Sequence, residues 1–125
     1  FKIINDEWGT SLSAENTKSL QLKLSHNVYL AIADRFSWPD INSSEQNDNA
    51  FCYGLRDHFG ILSDGTVVPC CLDNNGNIPL GNIFNTELSV ILNSQKARNI
   101  YNGFSARNAI EPLCKTCGYV KRYNI

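Results

Sequence analysis

An α+β fold follows from three observations: short segments with strand periodicity, a later stretch with helical periodicity, and cysteines spaced to share one site. The expected architecture is a small β-hairpin with short helices packed around a four-cysteine site, preceded by an N-terminal arm. The arm spans residues 1–50 and the cysteine-bearing module residues 51–125. The chain has 125 residues, 42% of them hydrophobic and 18% charged. That is globular composition, with enough length to bury a core. The net charge of −1 lacks the basic excess of a nucleic-acid binder. No apolar run approaches the roughly 20 residues that cross a bilayer, and no signal-peptide order is present. A cytoplasmic chain without nucleic-acid or membrane partners is expected. There is no Met, even at position 1, as expected for a segment cut from a longer polypeptide.

The elements follow in chain order. Phe1 to Asn5 is a short apolar run that reads as a strand, and Asp6 to Glu15 is rich in turn formers. Leu20 to Leu24 alternates apolar and polar residues, the period of a half-buried strand. Val28, Leu30 and Ile32 keep that spacing, while Ala31 and Ala33 also allow a helix, so both readings stand for this segment. Asp40 to Asn49 is polar and reads as a surface loop or linker. Next comes a hairpin signal: Phe59 to Leu62, the pair Asp64-Gly65, then Thr66 to Val68. Asp-Gly between apolar segments predicts a type I′ turn. Pro69 has no N–H to donate and ends the ladder. Pro79 to Ile83 reads as a connector. Leu88, Ile91 and Leu92 then fall at helical spacing, with Asn85 or Thr86 as N-cap. Ala97, Ile100, Tyr101 and Phe104 repeat the pattern out of phase, which predicts a second helix capped by Ser94 and stopped near Gly103.

All five cysteines lie beyond residue 50: Cys52, Cys70, Cys71, Cys114 and Cys117. An odd number without a secretory signal favours metal binding over a disulfide framework. Cys114-x-x-Cys117-Gly118 can turn both sulfurs toward one centre, with nearby amides donating to them and Gly118 supplying a positive φ. Cys52 and Cys70 fall near the open end of the hairpin and can complete four ligands. Cys71 should point to the opposite face, because side chains alternate along extended chain; it is the spare and the substitute for Cys70. Each thiol alone has a blander reading as a small buried hydrophobe. Together, four cysteines that the topology can converge predict an all-cysteine metal site. All-thiolate ligation suits zinc, rubredoxin-like iron and iron–sulfur clusters alike, and spacing does not choose among them.

The run from Cys52 to Asp73, CYGLRDHFGILSDGTVVPCCLD, with the later Leu80-Gly81-Asn82-Ile83 box, the short helix at Leu88 to Leu92 and the Cys114/Cys117 pair, resembles the SPASM domain. That domain is the C-terminal auxiliary iron–sulfur module of many radical S-adenosylmethionine enzymes, and the resemblance covers roughly residues 51–120. It implies that Cys52, Cys70, Cys114 and Cys117 ligate a [4Fe–4S] cluster. It also implies an upstream radical S-adenosylmethionine barrel as partner, acting on a peptide or small molecule. Two departures qualify it. Gly118 to Ile125 contains no further Cys, which implies one cluster at most. The S-adenosylmethionine-binding CxxxCxxC motif is absent from the 125 residues, so S-adenosylmethionine would belong only to that upstream barrel, and no catalytic residue is expected in this chain. The alternative is a four-cysteine zinc or rubredoxin-type structural or interaction module. In an isolated domain the site could also hold zinc or stand empty.

The other candidates are weaker. His26 and His58 are single histidines, more simply solvated or packed than ligating. Asp64 and Asp73 read as turn and loop residues. Arg35 to Pro39 is an aromatic segment better suited to packing or docking than to ligand stacking, and Lys115, Lys121 and Arg122 read as a solvated basic tail near the cysteine pair.

Overall fold

The computed structural model describes residues 1–15, 21–33 and 35–123. It divides into two compact units, Phe1–Arg35 and Phe36–Ile125, so the division falls earlier than the expected boundary at residue 50. The architecture is mixed α+β, as the sequence predicts.

In the first unit, the expected opening strand is instead a helix, α1, Lys2–Trp8. Lys2 and Asp6 form an ion pair one turn apart at 2.6 Å, and Gly9, left-handed at φ 62°, donates its N–H to the Asn5 carbonyl and ends the helix. The Asn5 side chain then ties down the following turn, donating to the Leu12 carbonyl and accepting from Leu12 N–H and the Thr10 hydroxyl. These local bonds outweigh a weak strand signal. Strands β1 (Gln21–Ser25) and β2 (Val28–Ala31) pair antiparallel with Leu22 opposite Leu30, and the register shifts between Lys23 and Ser25. Leu22, Leu24, Val28 and Leu30 are half-buried on one face. The strand reading of Val28 to Ala31 therefore holds over the helical one. Leu20, assigned to the first strand, lies outside the described residues.

The second unit is built on a three-stranded antiparallel sheet, β3 (Gly60–Ile61), β4 (Thr66–Val68) and β5 (Gly81–Asn82), with β4 central. Val67 and Val68 are fully buried. The β3–β4 turn is not type I′. Only Gly65 has positive φ, at 83°, with Gly65 N–H donating to the Leu62 carbonyl and Leu62 N–H to the Thr66 carbonyl. This is the three-residue loop in which a type I turn precedes a left-handed glycine. Asp64 takes the Thr66 N–H on its carboxylate at 2.9 Å, a local bond that stabilises the longer loop. Strand β5 corrects the expected connector: Val67 pairs with Gly81, and Leu80 N–H donates to Val67.

Helix α2 (Leu88–Leu92) is preceded by Glu87 at the N-cap, one residue beyond Thr86, because the amides of Asn85 and Thr86 already close a turn on the Asn82 carbonyl. Helix α3 (Gln95–Ser105) starts at Ser94, whose hydroxyl accepts from Ala97 N–H, and buries Ala97, Ile100 and Phe104. Tyr101 falls off that face. The helix runs through Gly103 and ends two residues later. Arg107 is left-handed at φ 56°, its N–H donates to Phe104 and the Asn108 N–H to Gly103. That is a Schellman cap with arginine in the position glycine usually fills. Helix α4 (Pro112–Lys115) and a 3₁₀ segment, Gly118–Tyr123, complete the chain.

The polar stretch before residue 50 is a belt, not a linker. Its own side chains cap its turns: Asp40 accepts from Asn42 N–H, Ser43 from Glu45 and Asn47 from Asn49. Its backbone then bonds the C-terminal segments, Asn47 N–H to Lys115, Ala109 N–H to Asp48 and Ala50 N–H to Arg107. Ala50 is fully buried in the core with Ile78, Ile100, Phe104, Leu113 and Val120. Among the described residues, no helix is long and apolar enough to cross a membrane.

Candidate metal centre

Four segments distant in sequence deliver the four predicted thiols to one place. Cys52 follows the belt; Cys70 follows β4 and the buried Pro69; Cys114 lies in α4; Cys117 joins α4 to the 3₁₀ segment. All four line a single cavity of about 400 Å³, walled by Ile78, Phe104, Leu113 and Val120 and by the rings of Tyr53, Tyr119 and Tyr123. Every pair among the four thiols is close enough to interact electrostatically. Cys71 is exposed. It nonetheless lines the same cavity as the other four cysteines, whereas alternation along extended chain predicts the opposite face.

The backbone around three of the sulfurs is arranged to donate to them. Cys52 Sγ accepts from Gly54 N–H at 3.4 Å, and the Tyr53 amide also acts to lower that thiol. The amides of Leu72 and Asp73 act to lower the Cys70 thiol, and those of Tyr119 and Val120 the Cys117 thiol. Such donors stabilise a thiolate, hence a metal-bound sulfur. Burial acts the other way and dominates, pushing all four thiols above the usual cysteine range, Cys114 the furthest. A metal entering the cavity must therefore displace protons.

Gly118 makes the knuckle possible, but for a different reason from the one its position suggested. Its φ is not positive. A Cβ at this position would lie 2.7 Å from both the backbone nitrogen and oxygen of Ser37, and Gly118 N–H donates to that oxygen at 3.0 Å. The glycine lets the segment that leads into the belt lie directly on the cysteine pair.

Asp73, read from the sequence as a loop residue, is 1% exposed and lines the cavity. One carboxylate oxygen accepts from Asn77 backbone and side-chain N–H groups, the other from Ile78 N–H at 2.8 Å. It holds the loop that carries Ile78 into the cavity wall. The turn-forming run Asp73 to Asn77 was the available signal for such a bond. Nothing local marks the three tyrosines, which meet edge to face at 5.0 Å (Tyr53–Tyr123) and 5.6 Å (Tyr119–Tyr123). His58 lines the cavity from an exposed turn just before β3. His26 lies exposed in the β1–β2 turn. Phe36 packs on Trp38 and Tyr119, the packing role expected for that aromatic segment.

The donor set is thus all sulfur, in an apolar cavity with amide donors aimed at three of the four ligands. That chemistry fits an iron–sulfur group. Among the described residues, no three or more His, Cys, Asp or Glu side chains come together closely enough to hold a single metal ion. The sulfurs surround a space in place of meeting at a point. Comparison with known proteins gives one family: the model for SPASM, an iron–sulfur cluster-binding domain, matches residues 52–118. No curated protein and no solved structure matches the chain.

Proposed function

The chain belongs to the SPASM family of iron–sulfur cluster-binding domains, and from that premise we propose that Cys52, Cys70, Cys114 and Cys117 hold one [4Fe–4S] cluster. It would be an auxiliary centre for a radical S-adenosylmethionine barrel of the same parent protein, in the cytoplasm, where thiols stay reduced. The observation that supports this most directly is the set of four mutually interacting thiols around one cavity. Bound there, such a group supplies one-electron transfer or a fixed charge beside a substrate, which we take to be a peptide or small molecule. Four protein ligands leave no iron open, which favours electron transfer or support over direct ligation of substrate.

The chain's own residues perform definite tasks in this reading. The Tyr53, Gly54, Leu72, Asp73, Tyr119 and Val120 amides offset charge on three sulfurs. Cys114 receives no amide bond and sits deepest, on the apolar side of the cavity. The tyrosines and Pro39 wall the site and limit water, which moderates solvent effects on any redox couple within. Asp73 and Gly118 keep the walls in place.

Anaerobic reconstitution with iron and sulfide tests the proposal. The expected product carries iron and acid-labile sulfide in equal amounts, about four of each per chain. Protein that takes up one zinc or one iron and no sulfide would instead support the structural-module alternative.

A further inference from the structure

Two arginines share one aromatic ring beside the cysteine cavity. The guanidinium of Arg56 lies 5.8 Å from the centroid of Phe51 and 4.5 Å from that of Tyr101, and that of Arg107 lies 6.0 Å from Phe51. Both arginines are exposed. The ion pairs of the described residues, Lys2–Asp6 and Lys115–Asp48, include neither. Arg56 is instead fixed by a 2.7 Å bond from Nη2 to the Ser105 hydroxyl. Two like charges are therefore each held within about 6 Å of one ring centroid, and neither belongs to an ion pair among the described residues.

The backbone beneath them is strained. Among the described residues, the only non-glycine residues with positive φ are Leu55, at 62°, and Arg107, at 56°. One immediately precedes Arg56 and the other is the second arginine itself. Left-handed backbone is costly for a side chain with a Cβ and gathers where function over-determines the local structure. The left-handed Arg107 is accounted for by the Schellman cap of α3, but neither that cap nor the covering of a ring calls for two arginines on the same ring.

We propose that Arg56 and Arg107 form a recognition site for carboxylates of an acidic polypeptide segment. Guanidinium groups laid against rings keep their outer N–H edges free to grip planar oxyanions in pairs. A nucleic acid is a poorer occupant. The ring of Phe51 is already taken by two guanidinium groups and the edge contact with Tyr53, 5.0 Å away at 88°, so no base can stack there. An extended acidic chain satisfies both charges and is led toward the cavity, because Phe51 adjoins Cys52 and Tyr53 lines the cavity wall. The site does not depend on the cluster assignment.

The test is fluorescence anisotropy with the full chain and a short labelled peptide rich in glutamate, alongside its glutamine counterpart and a single-stranded oligonucleotide. The glutamate peptide should bind, weaken as salt rises from about 50 to about 500 mM, and weaken at least about tenfold in the double variant R56Q/R107Q. Equal binding of the glutamine peptide, undiminished binding by the folded double variant, or tighter binding of the oligonucleotide would overturn the proposal. If the double variant fails to fold, wild-type ring-proton NMR decides. Shifts of Phe51 and Tyr101 on adding the glutamate peptide are expected, and unshifted rings refute the site.

Discussion

Gly118→Ala isolates the contact between the segment that leads into the belt and the cysteine knuckle. The glycine is not left-handed, so backbone conformation alone predicts a small gain of about 0.4–1 kcal/mol from reduced unfolded-state entropy. The packing predicts the opposite sign. A new Cβ would meet backbone nitrogen and oxygen of Ser37 at 2.7 Å and its Cβ at 3.1 Å, and backbone has no rotamer by which to yield. Overpacking of this kind costs about 1–3 kcal/mol. Separating the segments also weakens the 3.0 Å bond from Gly118 N–H to Ser37, worth about 1 kcal/mol. The net expectation is a loss of about 2–3 kcal/mol, or roughly 10–20 °C in melting temperature for a unit of this size. Thermal and urea unfolding of the metal-free protein measure it. Cys117 is the adjacent residue and the Tyr119 and Val120 amides that act to lower its thiol lie just beyond, so iron retention after reconstitution should fall as well. A variant as stable as the wild type, or more so, would refute the close-approach argument.

Replacing Cys52, Cys70, Cys114 or Cys117 singly by Ser should remove most reconstituted iron and sulfide, whereas Cys71→Ser should keep them; equal losses at Cys70 and Cys71 would reject the ligand assignment. Asp73→Ala strips the partner from three N–H groups in a site 1% exposed, and should cost about 3 kcal/mol in urea unfolding. A loss under about 1 kcal/mol would show the Asp73 to Ile78 loop holds itself. The metal-free, reduced protein should show pH-dependent stability. Burial raises the folded thiols above their unfolded value of about 8.5, so their contribution is fully present below that pH and is lost as pH climbs through the folded values. The urea midpoint should thus decline on the alkaline side, and Cys114→Ala, which removes the most strongly shifted thiol, should flatten the decline. Arg107→Gly should raise metal-free stability by about 1 kcal/mol through relief of a left-handed arginine, with an unchanged midpoint counting against strain there.

What the sequence determined by itself were properties carried by local spacing. The β3–β4 hairpin, the phase slip that separates α2 from α3 and the Ser94 cap are all legible within a few residues. The reason is that alternation, helical period and capping are short-range effects. Tertiary structure decided what spacing cannot encode. It recruited Gly81 to the sheet as β5, whereas the helix at Lys2–Trp8, missed by the strand signal of Phe1 to Asn5, rests on local bonds. The polar run before Ala50 became a belt because its backbone finds partners at Arg107, Ala109 and Lys115. The same long-range packing buried Asp73, gave Gly118 its purpose against Ser37 and gathered three tyrosines at the cavity wall. The cysteines and their spacing could be read along the chain. Their common cavity exists only because residues distant in sequence close around it.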